Sequence, residues 1–599
     1  DAIGFLYSCY SGTNYSAPCN NLGALESSTD EFVNPLLWGY LGQQVSWDQL
    51  SSTYVSNWGP AALPWNSCYD YLGHCHLFLK TLDELNPVGV SQNDRQRWKA
   101  EILFLQAYYH FRLLEAYGPI PIIEHYYLPN TPKYEFPGRS HFDYCVDKIV
   151  GWLDEAAKVL PATVDVNDLG RATSVASKAL KARVLLYAAS PLWNGGFPFT
   201  GWKNTNYETP GYGKELVSLN YSRDKWIRAK TACQEALDLA LAEGGRALFD
   251  LQTSESLRTM HQLNLPNIPG TSDDFKKKVM QMRYMMCSAE TEGNREVIWG
   301  IVTDWLSTNA VEAVPHWVVT KNDGSAWGGV CAMSPLLYAV EHFYTADGKL
   351  PENDSQLSKD SWFESAGYAG REDIIKLNTK REPRFYAWLS FDGDEFGQKI
   401  CDGSPLIVQV RNSLKQGYNP SKFNRDNCTT GYFLKKWAAP DLTFRKDGGY
   451  NYRSVPTPFI RLAELYLSLA ECHAALGEQQ PALDNLNEVR ERAGISAIGA
   501  KDLNEMPLMD WIRNERFVEL FAEGHRYYDA RRWMIAPQLF KAGVREGLNA
   551  IEKENPTFEE FNRRTKVDQP FQWDDRMYLL PVNASEIYNN PHLKQAPKY

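Results

Sequence analysis

No run of apolar residues in the chain approaches the roughly 20 that a membrane-crossing helix requires, so a helical span is excluded. No dense block of Lys or Arg occurs, and the formal charge of -11 argues against nucleic acid and anionic membrane surfaces as partners. Eleven cysteines form an odd set without a Cys-x-x-Cys pair, which speaks against a zinc site and against a disulfide framework. Cys68, Cys145 and Cys233 instead fall on apolar helical stripes, where Cys acts as a small hydrophobe; Cys9 with Cys19 is the one pairing left open. The GxSxG elbow, the HExxH helix, the GxxxxGK[ST] loop and the GxGxxG turn are all missing. The chain begins at Asp1 and has no charged n-region followed by an apolar segment, so it is read as a processed or trimmed form. Leu6-Tyr-Ser-Cys9 looks like a lipoprotein cleavage site, but too few residues precede Cys9 to hold a signal peptide. Residues 2–10 are read as a helix with Ile3, Leu6 and Tyr10 on one face.

What is present is a globular composition, 44% apolar and 23% charged. A length of 599 residues exceeds what one compact core usually supports, but arrays of helical hairpins grow by stacking and stay one structural unit. The periodicity predicts such hairpins. Trp65, Cys68, Tyr69, Leu72, His76 and Leu79 mark one helix, and Ala100, Leu103, Phe104, Ala107, Tyr108, Phe111 and Leu114 its partner. Phe142 to Leu160 and an Ala-rich stretch from Ser174 to Ser190 form a second pair, and Trp226, Ala229, Cys233, Ala236, Leu237 and Ala240 stripe a further helix. The segment from Arg461 to Trp533 holds a last hairpin. Leu462, Tyr466, Leu469 and His473 stripe its first helix, and Ala482, Leu483, Leu486, Val489 and Ala493 its second, with Gly477 and Pro481 at the turn. A third helix follows through residues 511–533, carrying Glu515, Arg516, Glu519, Glu523 and Arg526 at spacings that suit ion pairs with its surroundings. The expected fold is therefore mainly α: about four tetratricopeptide-like helical pairs forming a frame over residues 1–243 and 459–540. A loop-rich insertion over 244–458 carries few short strands, at Glu296 to Ile301 and Pro405 to Val410, and a loop-rich tail covers 541–599.

Arg461-Leu-Ala-Glu464 with Ala470-Glu471, Asn487 with Arg490-Glu-Arg-Ala-Gly494, Glu515-Arg-Phe-Val-Glu519, Glu523-Gly-His-Arg526 and Asp529-Ala-Arg-Arg-Trp533 make a distinctive series. In these residues the chain resembles the SusD/RagB family of glycan-capture lipoproteins. The likeness extends over nearly the whole chain, including residues 97–121 and Gly170-Arg-Ala-Thr173, and is weakest in the loops. It implies a single SusD-like unit over 1–599 whose helix pairs carry a loop-rich recognition face. It also implies a lipidated Cys upstream of Asp1, an outer-membrane, cell-surface location and a SusC-like TonB-dependent transporter as partner.

The chain is rich in aromatics, with 19 Trp, 33 Tyr and 26 Phe, and many of the Trp lie in Gly/Pro-rich segments. Trp38, Trp47, Trp58, Trp202, Trp305, Trp317, Trp327 and Trp362 fall in expected loops. A flat aromatic face there covers the C–H face of a sugar ring while polar neighbours satisfy its hydroxyls. The preferred ligand-binding set is Trp58 and Trp65 beside the first hairpin, Trp305, Trp317 and Trp327 from the insertion, and Asp30 and Glu31 as hydroxyl acceptors. No catalytic residue, cofactor or metal is expected. His74 and His76 stand two apart on a helix and point in different directions. Asp392-Gly-Asp-Glu395 and the acidic run around Asp347 to Asp354 do not follow the EF-hand pattern.

The reading is a non-catalytic protein that binds oligosaccharides or polysaccharides for uptake. A peptide-binding RagB-like uptake protein, an all-helical glycan-cleaving enzyme and a protein-binding scaffold are the alternatives, since acidic residues abound and sequence does not show which two would face each other across a bond.

Overall fold

The structure is a computed structural model that describes residues 1–16, 25–39, 41–55, 63–262, 264–302, 305–367 and 369–599. It is mainly helical with small sheets, as the periodicity predicts. The helices that build the frame are α1 (Ala2–Tyr10), α2 (Pro64–Leu85), α3 (Gln92–Tyr117), α4 (Phe142–Val159), α5 (Ser174–Ala189) and α6 (Arg223–Leu241). The insertion contains α7 (Trp305–Ala313); α8 (Leu462–Ala475), α9 (Gln479–Ala493), α10 (Leu508–Glu519) and α11 (Arg526–Arg532) follow it.

Local chemistry sets the helix ends. Pro64 opens α2, and Asn86 closes it in the left-handed region at φ 43°. A capping box starts α3, with the Ser91 hydroxyl accepting from the Asp94 N–H and the Asp94 carboxylate accepting from the Ser91 N–H. Each helix then packs on the next, from α2 through α6. The order changes at α6, whose next neighbour is α8 rather than anything adjacent in sequence. Lys230 and Glu478 bridge the two sides of this seam at 3.0 Å although 248 residues separate them. The expected hairpin series therefore forms, with the insertion leaving the stack between α6 and α8.

The two ends of the insertion are clasped together. Strand β2 (Val297–Ile301), the first after β1 (Phe32–Val33), pairs antiparallel with Thr457–Arg461 just ahead of α8, with Thr457 opposite Ile301 and Arg461 opposite Val297. Inside lie β3 (Val319–Thr320), β4 (Ala326–Trp327), β5 (Ser334–Pro335), β6 (Glu395–Cys401), β7 (Ser404–Ile407), β8 (Thr443–Phe444) and β9 (Tyr450–Asn451). The last four make one sheet in the order β9-β8-β6-β7, and β1 pairs with β5.

Two large apolar cores result, and α8 belongs to both. Leu462, Leu465, Leu469 and Cys472 face the core of the helical stack, whereas Ala463, Leu467 and Ala470 face the core of the insertion. Such a helix is apolar on two sides because it is covered on two sides. Next to it the long helix expected through 511–533 is broken. α10 ends at Glu519, and Ala522 and Gly524 adopt φ of 58° and 87° before α11 begins. A left-handed residue cannot continue a right-handed helix, and Gly adopts that conformation at least cost.

Around this break sits a buried ionic lattice. Arg461 binds Glu296 at 2.7 Å, Glu519 at 3.0 Å and Glu523 at 2.8 Å, and Arg384 binds Glu515 and Glu519 at 2.8 Å each. Arg516 and Arg532 share Asp529, and Arg532 also binds Glu471 at 2.6 Å. Burial alone would raise the Glu519 carboxyl, but Arg492, Arg461 and Arg384 together hold it far below the usual carboxylate range. The charged residues of the Arg461 to Trp533 series thus lock α8 and α10 to the insertion, and α11 to α8 and α10.

Candidate functional site

The insertion presents two β-hairpins tip to tip, both turned by Asp-Gly. In Lys321-Asn-Asp-Gly-Ser325 the Asp323 carboxylate accepts from the Ser325 N–H at 2.9 Å, and Gly324 takes φ 83°. In Arg445-Lys-Asp-Gly-Gly449 the Asp447 carboxylate accepts from the Gly449 N–H at 2.8 Å, and Gly448 takes φ 93°. Asx-type side-chain bonds and a glycine in the left-handed region are what such short turns need. The tips are tied by the Asn322 N–H, which donates to the Lys446 carbonyl at 3.0 Å.

Aromatic rings collect on these hairpins. Trp327 in β4 is half-buried; its indole N–H donates to the Gly449 carbonyl at 3.0 Å, and its ring meets Phe444 edge-on at 5.5 Å and Tyr450 at 6.3 Å. Tyr450 in turn contacts Tyr452, whose ring is 44% exposed. Trp317, also half-buried, leads into β3; its indole N–H donates to Thr320 at 3.2 Å, and the Lys422 ammonium stands 4.0 Å from the ring centroid. Phe423, beside Lys422, lies 6.1 Å from Trp317 and stacks at 3.9 Å on the buried His316. Two of the five expected tryptophans therefore lie on or beside one hairpin, each among its own further rings.

The other expected site residues have different places. Trp65 is a core residue of the α2/α3 pair, edge-on to Tyr69 at 4.8 Å and to Tyr117 at 5.0 Å; its helical position, not its neighbourhood to a loop, decides its burial. Asp30 is buried and bidentate to Arg526, at 2.9 and 2.7 Å. Glu31 is fully buried and accepts from the Ala522 N–H at 2.7 Å. Burial raises its carboxyl to about 8, the Ala522 N–H opposing and the Asp30 charge adding. Both acids are corrected from ligand acceptors to braces between the N-terminal segment and the α10–α11 turn. Trp58 lies outside the described residues, and Trp305 is described only as the first residue of α7. Of the remaining loop tryptophans, Trp38, Trp202 and Trp362 are buried, with their indole N–H groups on Asp426, Gln595 and Leu357. Trp47 is half-buried, its N–H on Asp568.

Two polar residues escaped the sequence reading. Asn309 on α7 is fully buried, yet neither its amide nitrogen nor its amide oxygen has a hydrogen-bond partner among the described residues. Glu312, on the same helix, is half-buried with its Oε2 likewise unbonded, and desolvation pushes its carboxyl up to about 8. Their signal in the sequence was an amide and an acid at helical spacing behind Trp305, in a stretch that reads as loop. The segment after β4 returns along this helix, with the Ala332 N–H on the Glu312 carbonyl at 2.8 Å, and Asn34 reaches in from the N-terminal segment to the Ala332 carbonyl at 2.7 Å. Just ahead of α7, a cleft of about 320 Å³ runs from Tyr7 and Asn14 past Gly170 to Val302.

Acidic positions that sequence singled out are bonded internally. Asp392 binds Arg411 at 3.0 Å, and Asp394 binds Lys435 at 2.8 Å. His76 meets the Ile123 carbonyl at 2.9 Å. Among the described residues no group of three His, Cys, Asp or Glu is placed to hold a metal ion, and no helix is long and apolar enough to cross a membrane.

Residues 295–599 match the family described as SusD family, and residues 19–186 match one described as starch-binding associating with outer membrane. The chain is 22% identical over 596 residues to starch-binding protein SusD of Bacteroides thetaiotaomicron, covering 97% of this chain and 84% of that protein. A stretch of 196 residues is 40% identical to SusD-like protein P25 of Formosa agariphila, covering 32% of this chain and only 36% of that relative's length. The solved structure of BT4246 is 50% identical, with a TM-score of 0.94 over 100% of this chain and 99% of its own. A SusD-like protein from Bacteroides fragilis shares the fold at a TM-score of 0.72 and 22% identity, covering 100% of this chain and 96% of its own.

Proposed function

The chain belongs to the SusD family, and on that premise we propose that it binds an oligosaccharide or polysaccharide at the outer surface of the outer membrane and passes it, uncleaved, to a SusC-like TonB-dependent transporter. A lipid-anchored position at that surface is part of the same reading. The observation that carries the binding step is the aromatic face on the two Asp-Gly hairpins. Trp317, Trp327, Tyr450 and Tyr452 keep ring surface accessible, while the turns beneath them are fixed by hydrogen bonds. Rigid rings beside exposed polar turns suit a sugar, which offers an apolar C–H face and a rim of hydroxyls. Starch binding, named for the Bacteroides thetaiotaomicron relative, is consistent with that chemistry. Affinity at one such face is modest, and retention near a transporter mouth would raise the effective concentration of the glycan.

Native affinity electrophoresis through gels containing neutral and acidic polysaccharides, with a reducing-sugar assay on the same mixtures, tests the proposal. The expected result is retardation without released sugar, weakened about ten-fold by Trp317→Ala, in line with the loss of one aromatic contact. Released sugar would make the protein an enzyme, and no retardation by any glycan would move peptide capture to the front.

A further inference from the structure

We propose that a cleft of about 670 Å³ in the insertion, lined by none of the residues of the two aromatic hairpins, is a second site for a neutral saccharide, so that one polysaccharide chain is held at two points. The inference rests on the glycan-binding reading and deepens it by adding a second point of attachment.

Four stretches of chain wall the cleft: residues 270–275 at the head of the helix Asp273–Met285, then 345–347, 354–357 and parts of 366–381. Its volume falls within the range of about 300–1,000 Å³ usual for small-molecule sites. It is open to a ligand, since Asp347 and Gln356 on its wall are exposed. The walls are held in place by bonds behind them. The fully buried Arg381 donates to the Leu377 carbonyl at 2.8 Å and to the Phe343 carbonyl at 2.7 Å. The Ala346 N–H donates to the Lys380 carbonyl at 2.9 Å, and the Ala366 N–H to the Ile374 carbonyl at 2.8 Å. A cleft already shaped spares its ligand the cost of ordering it.

The chemistry of the lining decides what that ligand is. Phe275 is half-buried, edge-on to Tyr386 at 6.0 Å, and leaves ring surface for the C–H face of a sugar. Asp354 is only 9% exposed, and among the described residues its carboxylate accepts nothing but the Gln356 N–H, at 3.0 Å. A carboxylate has about four acceptor sites, so an enclosed acid with one bond made is short of donors, and sugar hydroxyls are donors. Asp347 adds a second acceptor, and the Gln356 side chain a carboxamide that both donates and accepts. Two carboxylates are too few to hold a calcium ion, and among the described residues no third acid or His joins them. An anionic sugar would meet both acids, whereas Lys376 on the same wall is already paired with Glu364 at 3.0 Å. A neutral, hydroxyl-rich ring meets ring with apolar face and acceptor with donor.

The test is affinity electrophoresis of the full chain through gels containing starch, galactan or mannan as neutral probes and polygalacturonate as an acidic one. Phe275→Ala, Asp354→Ala and the double variant Asp347→Ala with Gln356→Ala run beside Trp317→Ala. In a neutral gel that retards the wild type, each cleft variant is expected to weaken retardation about ten-fold, as the loss of a charged hydrogen bond or a ring contact does. Adding Trp317→Ala to the double variant is expected to weaken it further than either change alone. Asp347 and Gln356 are exposed, so their double variant keeps the test decisive if Phe275→Ala or Asp354→Ala fails to fold. Unchanged retardation in the double variant, or retardation by polygalacturonate alone, overturns the inference and leaves the glycan-binding reading standing. A wild-type chain retarded by no probe overturns both.

Discussion

Glu519 is a carboxylate on which three buried guanidinium groups converge. Its carboxylate meets Arg384, Arg461 and Arg492, and it is fully enclosed. Replacing it by Gln keeps the shape but leaves three guanidinium groups short of one negative charge. Glu519→Gln should therefore lower stability by about 3–5 kcal/mol, as breaking a buried ion pair from one side does, and urea unfolding followed by circular dichroism checks this. Glu31 works in the opposite sense. Its folded carboxyl is raised to about 8, above its unfolded value, so the folded state holds the proton more tightly. The stabilisation is complete below the unfolded pKa and is lost as pH rises toward 8. Glu31→Gln should remove that loss, so that the variant gains stability over the wild type between pH 5 and about 8 in thermal scans. A variant whose stability falls with pH as steeply as the wild type would show that another group is responsible. These two acids also show what the sequence could and could not reveal. The spacing of Glu515, Arg516, Glu519 and Glu523 foretold ion pairs, whereas nothing in the run around Asp30 and Glu31 marked them as buried, because their partners, Arg526 and the Ala522 N–H, lie almost 500 residues away.

Among elements, the break between α10 and α11 has the largest consequence for the frame. It lets Glu519 and Glu523 converge on Arg461 while Asp529 meets Arg516 and Arg532. Gly524 at φ 87° makes the turn possible. Gly524→Ala should cost at least about 1 kcal/mol from the left-handed backbone alone, measured by the same urea titration; a neutral effect would mean that the turn tolerates a side chain. The apolar stripes of hairpin helices such as α4 and α6 were legible from periodicity because each is one-sided and regular, whereas α8 is covered on two sides. The break was not legible, since Glu-Gly-His-Arg also fits a helix with one poor residue. Elements of the aromatic hairpins were legible in part. The hairpins at 319–327 and 443–451 lay outside the strands expected in the insertion, and which loop tryptophan becomes an anchor depends on the partner each indole N–H finds. Trp38, Trp202 and Trp362 find theirs inside, while Trp317 and Trp327 keep part of the ring outside.

At the scale of the molecule, the two cores are coupled through α8. Leu465 and Leu467, two positions apart, point into different cores. Leu465→Ala and Leu467→Ala should each cost about 2–5 kcal/mol and shift one common unfolding transition, seen alike by circular dichroism and by tryptophan fluorescence. Separate transitions, each answering to one variant, would show that the cores melt independently. The architecture of one stack and one insertion was legible because α6 and α8 both carry apolar stripes, although neither stripe announces that it is the other's partner. That seam also sets an order of events during synthesis. The stripe of Trp226, Ala229, Cys233 and Leu237 is complete long before the ribosome reaches Leu462; α5 already stands beside α6, but the side that meets α8 has no neighbour yet. A nascent chain cut short inside the insertion would expose this stripe as a sticky apolar edge.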